Sequence, residues 1–353
     1  GAGIVVTGNV MVDATALGEP GNVVLETETH LDAFKALAKA GSTNSSSLWV
    51  QLNHPGKQAP RFIAKDPVAP SAIRLEGSMR LAFKKPRALS DAEIKTLVKK
   101  FAHSASLVKK AGFGGVQIHA AHGYLISQFL SPKHNQRPAP YGGSLPNRMR
   151  FLMEIYAAMR KAVGPSFPIG VKMNIDDFMK GGFTHEDARQ VMRSLSEAGI
   201  DLIELSGGSY ENPKMMGQSD QEGFFLNLIE GLKEDLTAPL VITGGFRSAR
   251  VMASVIASSK ADMIGLARPL VIDPSIPRKI AEGTFDRVHL PRIKFRLTAL
   301  SQRLGPILGL SAYEFAMREM AHGRPAHVSS NGARLLIQLL WSQGMKALIR
   351  KRR

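Results

Sequence analysis

Residues 240–270, LVITGGFRSARVMASVIASSKADMIGLARPL, hold a strand, a helix and a second strand in succession. LVIT is a short β-branched run of the length of a buried strand. Gly244 and Gly245 turn the chain, residues 249–258 carry apolar positions at helical spacing, and residues 263–266 form another apolar run. Two such strands joined by one helix are parallel neighbours. The amides around Gly244, Gly245 and Phe246 therefore lie where a helix begins, a position that favours phosphate, and Arg268 at the end of the next strand can grip the same anion. A glycine pair after a strand by itself marks only a tight turn. Both motifs on consecutive final strands coincide with the phosphate site that β/α barrels build there.

Outward from this unit the same alternation runs through the chain. Strands are expected at 3–10, 48–53, 115–119, 169–174, 202–206, 240–243 and 263–266, with helices near 29–40, 91–111, 147–163, 185–198, 223–234 and 249–258. Ser90 with Glu93 and Thr184 with Asp187 are capping-box-like starts, and Gly112 and Gly199 are left-handed helix stops. Strict alternation fits a closed barrel better than a doubly wound sheet. The count is one strand short, and residues 3–10 look like a second strand feeding a long excursion, so the missing strand is expected before Gly1. The alternative is that it lies within the Pro-rich stretch 64–80. The expected fold is thus α/β, a (β/α)8 TIM barrel lacking its first strand over residues 1–284, with a basic, helical C-terminal extension over 285–353. Two long connections, 55–90 and 124–146, are of the kind that covers or builds a site.

Composition narrows the chemistry. With no cysteine there are no disulfides, thiolate metal sites or cysteine nucleophiles, so His, Tyr, Lys, carboxylates or a cofactor must act. No apolar run reaches the roughly 18 residues of a bilayer span. The start GAGIVVTGNV has no signal-peptide pattern, and the chain reads as cytoplasmic. The net charge of +17 would suggest a nucleic-acid partner. Much of it, however, sits in the tail: Arg287, Arg292, Lys294, Arg296, Arg303, Arg318, Arg324, Arg334, Lys346 and residues 350–353, against Asp286, Glu314 and Glu319. The last stretch places Leu335, Leu336, Leu339, Leu340, Met345 and Leu348 on one broad helical face. The main expectation is that it packs on the barrel, with contact to an anionic membrane surface as the alternative.

Barrel chemistry sits at the carboxyl ends of strands. The run VQIHAAHGYL puts His119 at a strand tip, His122 three residues on and Tyr124 beyond. An anion or enolate there could accept hydrogen bonds from both imidazoles, and the phenol could deliver a proton. An HxxH metal site is the competing reading, but no nearby carboxylate or cysteine completes a ligand set. Gln51 in WVQLN could meet a flavin or pyrimidine edge, or be an internally satisfied amide. Lys172 inside IGVKMN could stabilise charge on a reduced flavin, or be a barrel-bottom salt bridge.

These residues resemble the Old Yellow Enzyme family, NADH:flavin oxidoreductases that hold FMN in a β/α barrel. HAAHGYLISQFLSPKHNQRPAPYGGSLPNRMRF is specific for it, and QLNHPGKQ, GVKMN, GGFR and ARPL follow in family order, from about residue 1 to 282. The resemblance implies that His119 and His122 hydrogen-bond the activating carbonyl of an enone-type substrate. It implies that Tyr124 protonates the α-carbon while reduced FMN passes hydride from NADPH or NADH to the β-carbon. By the same resemblance Gln51 meets the flavin pyrimidine edge and Lys172 sits near N1. Gly8 brings backbone close to the ring, and Gly245, Phe246, Arg247, Ala267 and Arg268 hold the phosphate. No metal is implied. The family's first strand has no counterpart here, which makes activity conditional. The alternatives are an inactive or fragmentary barrel paralogue that does not retain FMN, or a flavin barrel acting on tRNA. Relatives that use iron–sulfur clusters bind them with cysteines, which this chain does not contain.

Overall fold

The computed structural model describes residues 1–77, 79–212, 221–294 and 298–350; side chains are described up to 294 and from 308 to 341. The strands and helices, in chain order, are β1 (Ile4–Met11), β2 (Val23–Val24), α1 (Leu31–Gly41), β3 (Ser47–Asn53), β4 (Val68–Ala69), α2 (Met79–Ala82), β5 (Arg87–Ala88) and α3 (Asp91–Lys110). There follow β6 (Gly115–Ala120), α4 (Leu125–Leu130), α5 (Leu145–Val163), β7 (Ile169–Asn174), α6 (His185–Glu197), β8 (Leu202–Ser206), β9 (Leu240–Thr243), α7 (Ala249–Ala257) and β10 (Met263–Gly265). Among the described residues there then follow α8 (Arg268–Ile272), α9 (Ile276–Ala281), α10 (Thr298–Ala321) and α11 (Gly332–Arg350).

One parallel sheet runs β10-β9-β8-β7-β6-β3-β1-β2. All seven expected strands are in it. Its eighth member is the short β2, paired with the last two residues of β1. Among its described residues the stretch 64–80 supplies one strand, β4, which pairs with β5 in a separate two-stranded sheet. Among the described residues no ladder joins β10 to β1, and Val5 and Met263 on those two strands are exposed.

The helices form for the reasons legible in the sequence. Ser90 accepts from the Glu93 amide while the Glu93 carboxylate takes the Ser90 amide (3.3 and 2.8 Å). Thr184 caps α6 through the Asp187 amide. Gly112 and Gly199 take φ of 86° and 85°, conformations that cost a side chain dearly. The helix expected at 223–234 is absent. The apolar spacing is real, since Phe225, Ile229 and Leu232 are buried. Gly223 and Gly231 nevertheless adopt positive φ, and only the short 3-10 turns Leu226–Leu228 and Lys233–Asp235 form.

The barrel interior is stacked in layers. At the bottom the Trp49 indole fills space that side chains at Gly115 and Gly170 would occupy, and it packs with Leu202 and Val241 beside Ile4 and Val6. Above it lie polar side chains of β3, β6, β7, β8 and β9, and above those the strand tips. The extension packs as its own cluster: Leu308, Ala312, Tyr313 and Ala316 of α10 and Leu335 of α11 meet Val271 and Ile272 of α8. Leu336 and Leu339 join this contact, whereas Leu340, expected on the same face, is exposed with Ile337 and Trp341. The expected face was too broad. The side chains of Met345 and Leu348 and residues 351–353 lie outside the described set. Among the described residues no helix is long and apolar enough to cross a membrane.

Candidate active site

The β6 tip collects the predicted chemistry. His119 is its penultimate residue, and the left-handed turn at His122 (φ 60°) with Gly123 (φ 76°) brings the chain back so that Tyr124 starts α4 beside it. The His119 ring stands edge-on to those of His122 and Tyr124, with centroids 5.1 and 4.9 Å away. His119 Nδ1 accepts the Ala121 amide (3.2 Å), so the proton of the neutral ring lies on Nε2, ready to donate. The His122 backbone is held by Asn174 Oδ1 (3.0 Å), and its Nε2 meets Ser206 Oγ at 2.7 Å. If Ser206 is the donor, the His122 proton lies on Nδ1. Burial, reinforced by the neighbouring Lys172 ammonium, depresses both imidazoles, His122 to about 3 and His119 well below its ordinary value. Both are therefore neutral hydrogen-bond donors, not cations, near neutral pH.

Tyr124 is protonated, its pKa raised above the ordinary value by burial. Its hydroxyl lies 3.0 Å from that of Tyr210 and accepts from Asn9 Nδ2 at 3.3 Å. The loop carrying Tyr210 is anchored by its neighbour Glu211, which lies 3.2 Å from His134 Nε2 and 3.9 Å from Lys57 Nζ, while Lys57 and His134 themselves meet at 2.9 Å. Those three buried groups tie the two long connections to the loop after β8. Tyr210 and Asn9 escaped the sequence reading because each sits in an unremarkable polar stretch; only folding brings them to Tyr124.

Gln51 and Lys172 both project into the barrel one layer below. Lys172 pairs with Glu204 of β8 at 2.9 Å, so the salt bridge weighed against a flavin role exists, in the middle of the barrel and not at its bottom. Gly8 lies at a register shift between Val6 and Asn9, and a Cβ there would meet nothing within 4 Å. The backbone is open at that point.

At the far strand ends, the amides of Gly245, Phe246 and Ala267 have no acceptor among the described residues. Burial and the like charge of Arg247 depress the Arg268 guanidinium, with Tyr313 of α10 opposing. Two guanidiniums close enough to repel each other, beside such amides, suit a phosphate dianion. The Phe246 side chain itself is in the core, so only its backbone faces the site. The amides of Arg247 and Ser248, however, already donate to Glu222 (2.7 and 2.9 Å), which also pairs with Arg287. The Arg247 amide is therefore already taken and is not among the donors open to an anion. On balance these residues fit FMN: amides and guanidiniums for its phosphate, and an open backbone with a polar floor for its ring.

Architecture and site together are those of a β/α-barrel flavin oxidoreductase. Residues 1–287 match the model of the NADH:flavin oxidoreductase / NADH oxidase family, and the chain belongs to that family. FMN is the cofactor of this family, and NADH or NADPH its hydride donor. The NADH-dependent flavin oxidoreductase nadA of Aspergillus parasiticus is 36% identical over 312 residues, a match covering 84% of this chain and 70% of that protein. The NADH oxidase of Thermoanaerobacter brockii is 34% identical over 297 residues, covering 82% of this chain and 44% of the oxidase. Among solved structures, 2-naphthoyl-CoA reductase in complex with 2-naphthoyl-CoA superposes with a TM-score of 0.75 at 28% identity, covering 79% of this chain and 44% of that one. An old yellow enzyme homologue from Zymomonas mobilis shares the fold, with a TM-score of 0.70 at 24% identity and 81% of each chain covered. The chain thus spans less than half of the oxidase and of the naphthoyl-CoA reductase.

Proposed function

We propose that this chain reduces carbon–carbon double bonds activated by a carbonyl group. The observation that carries this reading is a protonated, buried Tyr124 beside two neutral imidazoles at one strand tip. Bound FMN would supply hydride, drawn from NADH or NADPH, to the β-carbon. His119 Nε2–H and, with Ser206 donating to its Nε2, His122 Nδ1–H would hold the substrate carbonyl oxygen. Neutral donors stabilise developing enolate charge without being titrated by it. Tyr124 O–H would deliver a proton to the α-carbon, with Tyr210 and Asn9 holding the phenol oxygen in place. Gln51 and Lys172 would face the ring's pyrimidine side and N1, Gly8 would let the ring approach the backbone, and Gly245, Phe246, Arg247, Ala267 and Arg268 would hold the phosphate.

Tyr124→Phe tests the reading through the two half-reactions. Flavin reduction by NADPH should keep its rate, while reoxidation by cyclohexenone should slow by about 10²- to 10⁴-fold, the usual worth of a positioned general acid. Equal loss in both half-reactions would remove the proton-donor role.

A further inference from the structure

Above the Trp49 plug, a string of hydrogen bonds crosses five adjacent strands. Gln51 Nε2 donates to Gln117 Oε1 (2.7 Å), and Gln117 Nε2 donates to Glu204 Oε2 (2.8 Å). Glu204 Oε1 accepts from Lys172 Nζ (2.9 Å) and from Thr243 Oγ1 (2.7 Å). Room for Thr243 is left by Gly265, where a Cβ would lie 1.9 Å from the hydroxyl. Gln51, Gln117 and Glu204 are all buried. A buried ion pair stabilises a fold no better than apolar residues of the same volume would, so stability alone does not account for charges at this height.

The string has a direction, and Glu204 sets it. A carboxylate can only accept, so Gln117 must turn its NH2 toward Glu204 and its carbonyl oxygen toward Gln51. Gln51 can meet that oxygen only with its own NH2. Its Oε1 is the end of the string, with no hydrogen-bond partner among the described residues. Although burial opposes ionisation of Glu204, the Lys172 charge and the bonds from Lys172, Thr243 and Gln117 outweigh it and hold the carboxyl below its ordinary range.

We propose that Glu204 is a positioning residue of the flavin site: it orients Gln51 so that a carbonyl oxygen faces the imide N–H of the ring, and it balances the charge of Lys172. This rests on FMN occupying the barrel mouth as proposed above. The carboxylate keeps Lys172 from acting as an unbalanced cation toward the reduced ring, and so holds the potential of the bound flavin down.

The test is the midpoint potential of bound FMN. Glu204→Gln removes the negative charge and lets the amide string reverse. At a fixed potential the ratio of reduced to oxidised flavin should rise at least tenfold, a shift of about 30 mV for a two-electron couple. Lys172→Met should shift it the other way, and the double variant, which removes both charges, should return near the wild type. The double variant also decides the matter if Glu204→Gln does not fold. A Glu204→Gln protein that binds FMN at an unchanged potential, or a double variant as low as Lys172→Met, would overturn the role of Glu204 and leave the cofactor site standing. Wild-type protein that binds no FMN would instead remove the site on which both proposals rest.

Discussion

Lowering the pH from 7 to 5 should destabilise this protein far more than its surface charges would suggest. His54, His119 and His122 are buried and carry depressed pKa values, to about 4 for His54, to about 3 for His122 and well below the ordinary value for His119. In the unfolded chain each titrates near its ordinary value of about 6.5. Between that value and the folded one, the unfolded state binds protons the folded state refuses, so stability falls as pH falls. At pH 5 each histidine lies about 1.5 pH units below its unfolded pKa, which costs about 2 kcal/mol. Together they cost about 6 kcal/mol, a large part of the roughly 5–15 kcal/mol that holds a domain folded. Urea unfolding followed across this range should report uptake of about three protons at pH 5. His122→Asn, which keeps a residue tolerant of the left-handed turn, should reduce that uptake by about one. Uptake below one proton in the wild type would mean that these rings are not held neutral, and the neutral-donor role assigned to His119 and His122 would fall with it.

Two further outcomes test the floor and the far wall of the site. Trp49→Ala empties the space beside Gly115 and Gly170 and should cost about 3–5 kcal/mol in urea unfolding; a loss under about 1 kcal/mol would show that the barrel bottom is not packed as described. Arg268→Ala should weaken FMN binding by about 1.5–3 kcal/mol, the worth of a charge-assisted hydrogen bond, and leave riboflavin affinity unchanged. Equal loss for both ligands in the titrations would place Arg268 away from the phosphate.

The strands were legible because each buried parallel strand is a short, nearly continuous apolar run. The helix ends were legible because Ser90, Thr184, Gly112 and Gly199 carry their geometry in their side chains, or in lacking one. The helix expected at 223–234 shows where this fails. Phe225, Ile229 and Leu232 face the core at helical spacing, but Gly231 interrupts the segment with a positive φ that spacing alone does not reveal. Of the site, His119, His122 and Tyr124 lie within six residues and could be read together, and the Gly245 and Arg268 ends follow from strand order. Glu204 carried a signal that went unused: a charge within LIELS is as conspicuous as Lys172 within GVKMN, and the two pair. Tyr210, Asn9 and Glu222 had none, because their partners are distant in sequence and the loops that deliver them have no periodicity.

The ends of β9 and β10 and the mouth of the barrel are proposed to hold FMN. Titration of the purified full chain with FMN, followed in the visible spectrum, tests this most directly. The expected result is a saturable shift of the flavin band, with a bound flavin that bleaches on NADPH and recovers with cyclohexenone. Protein that leaves the FMN spectrum unchanged through the titration, and is colourless once free FMN is removed by gel filtration, would contradict it.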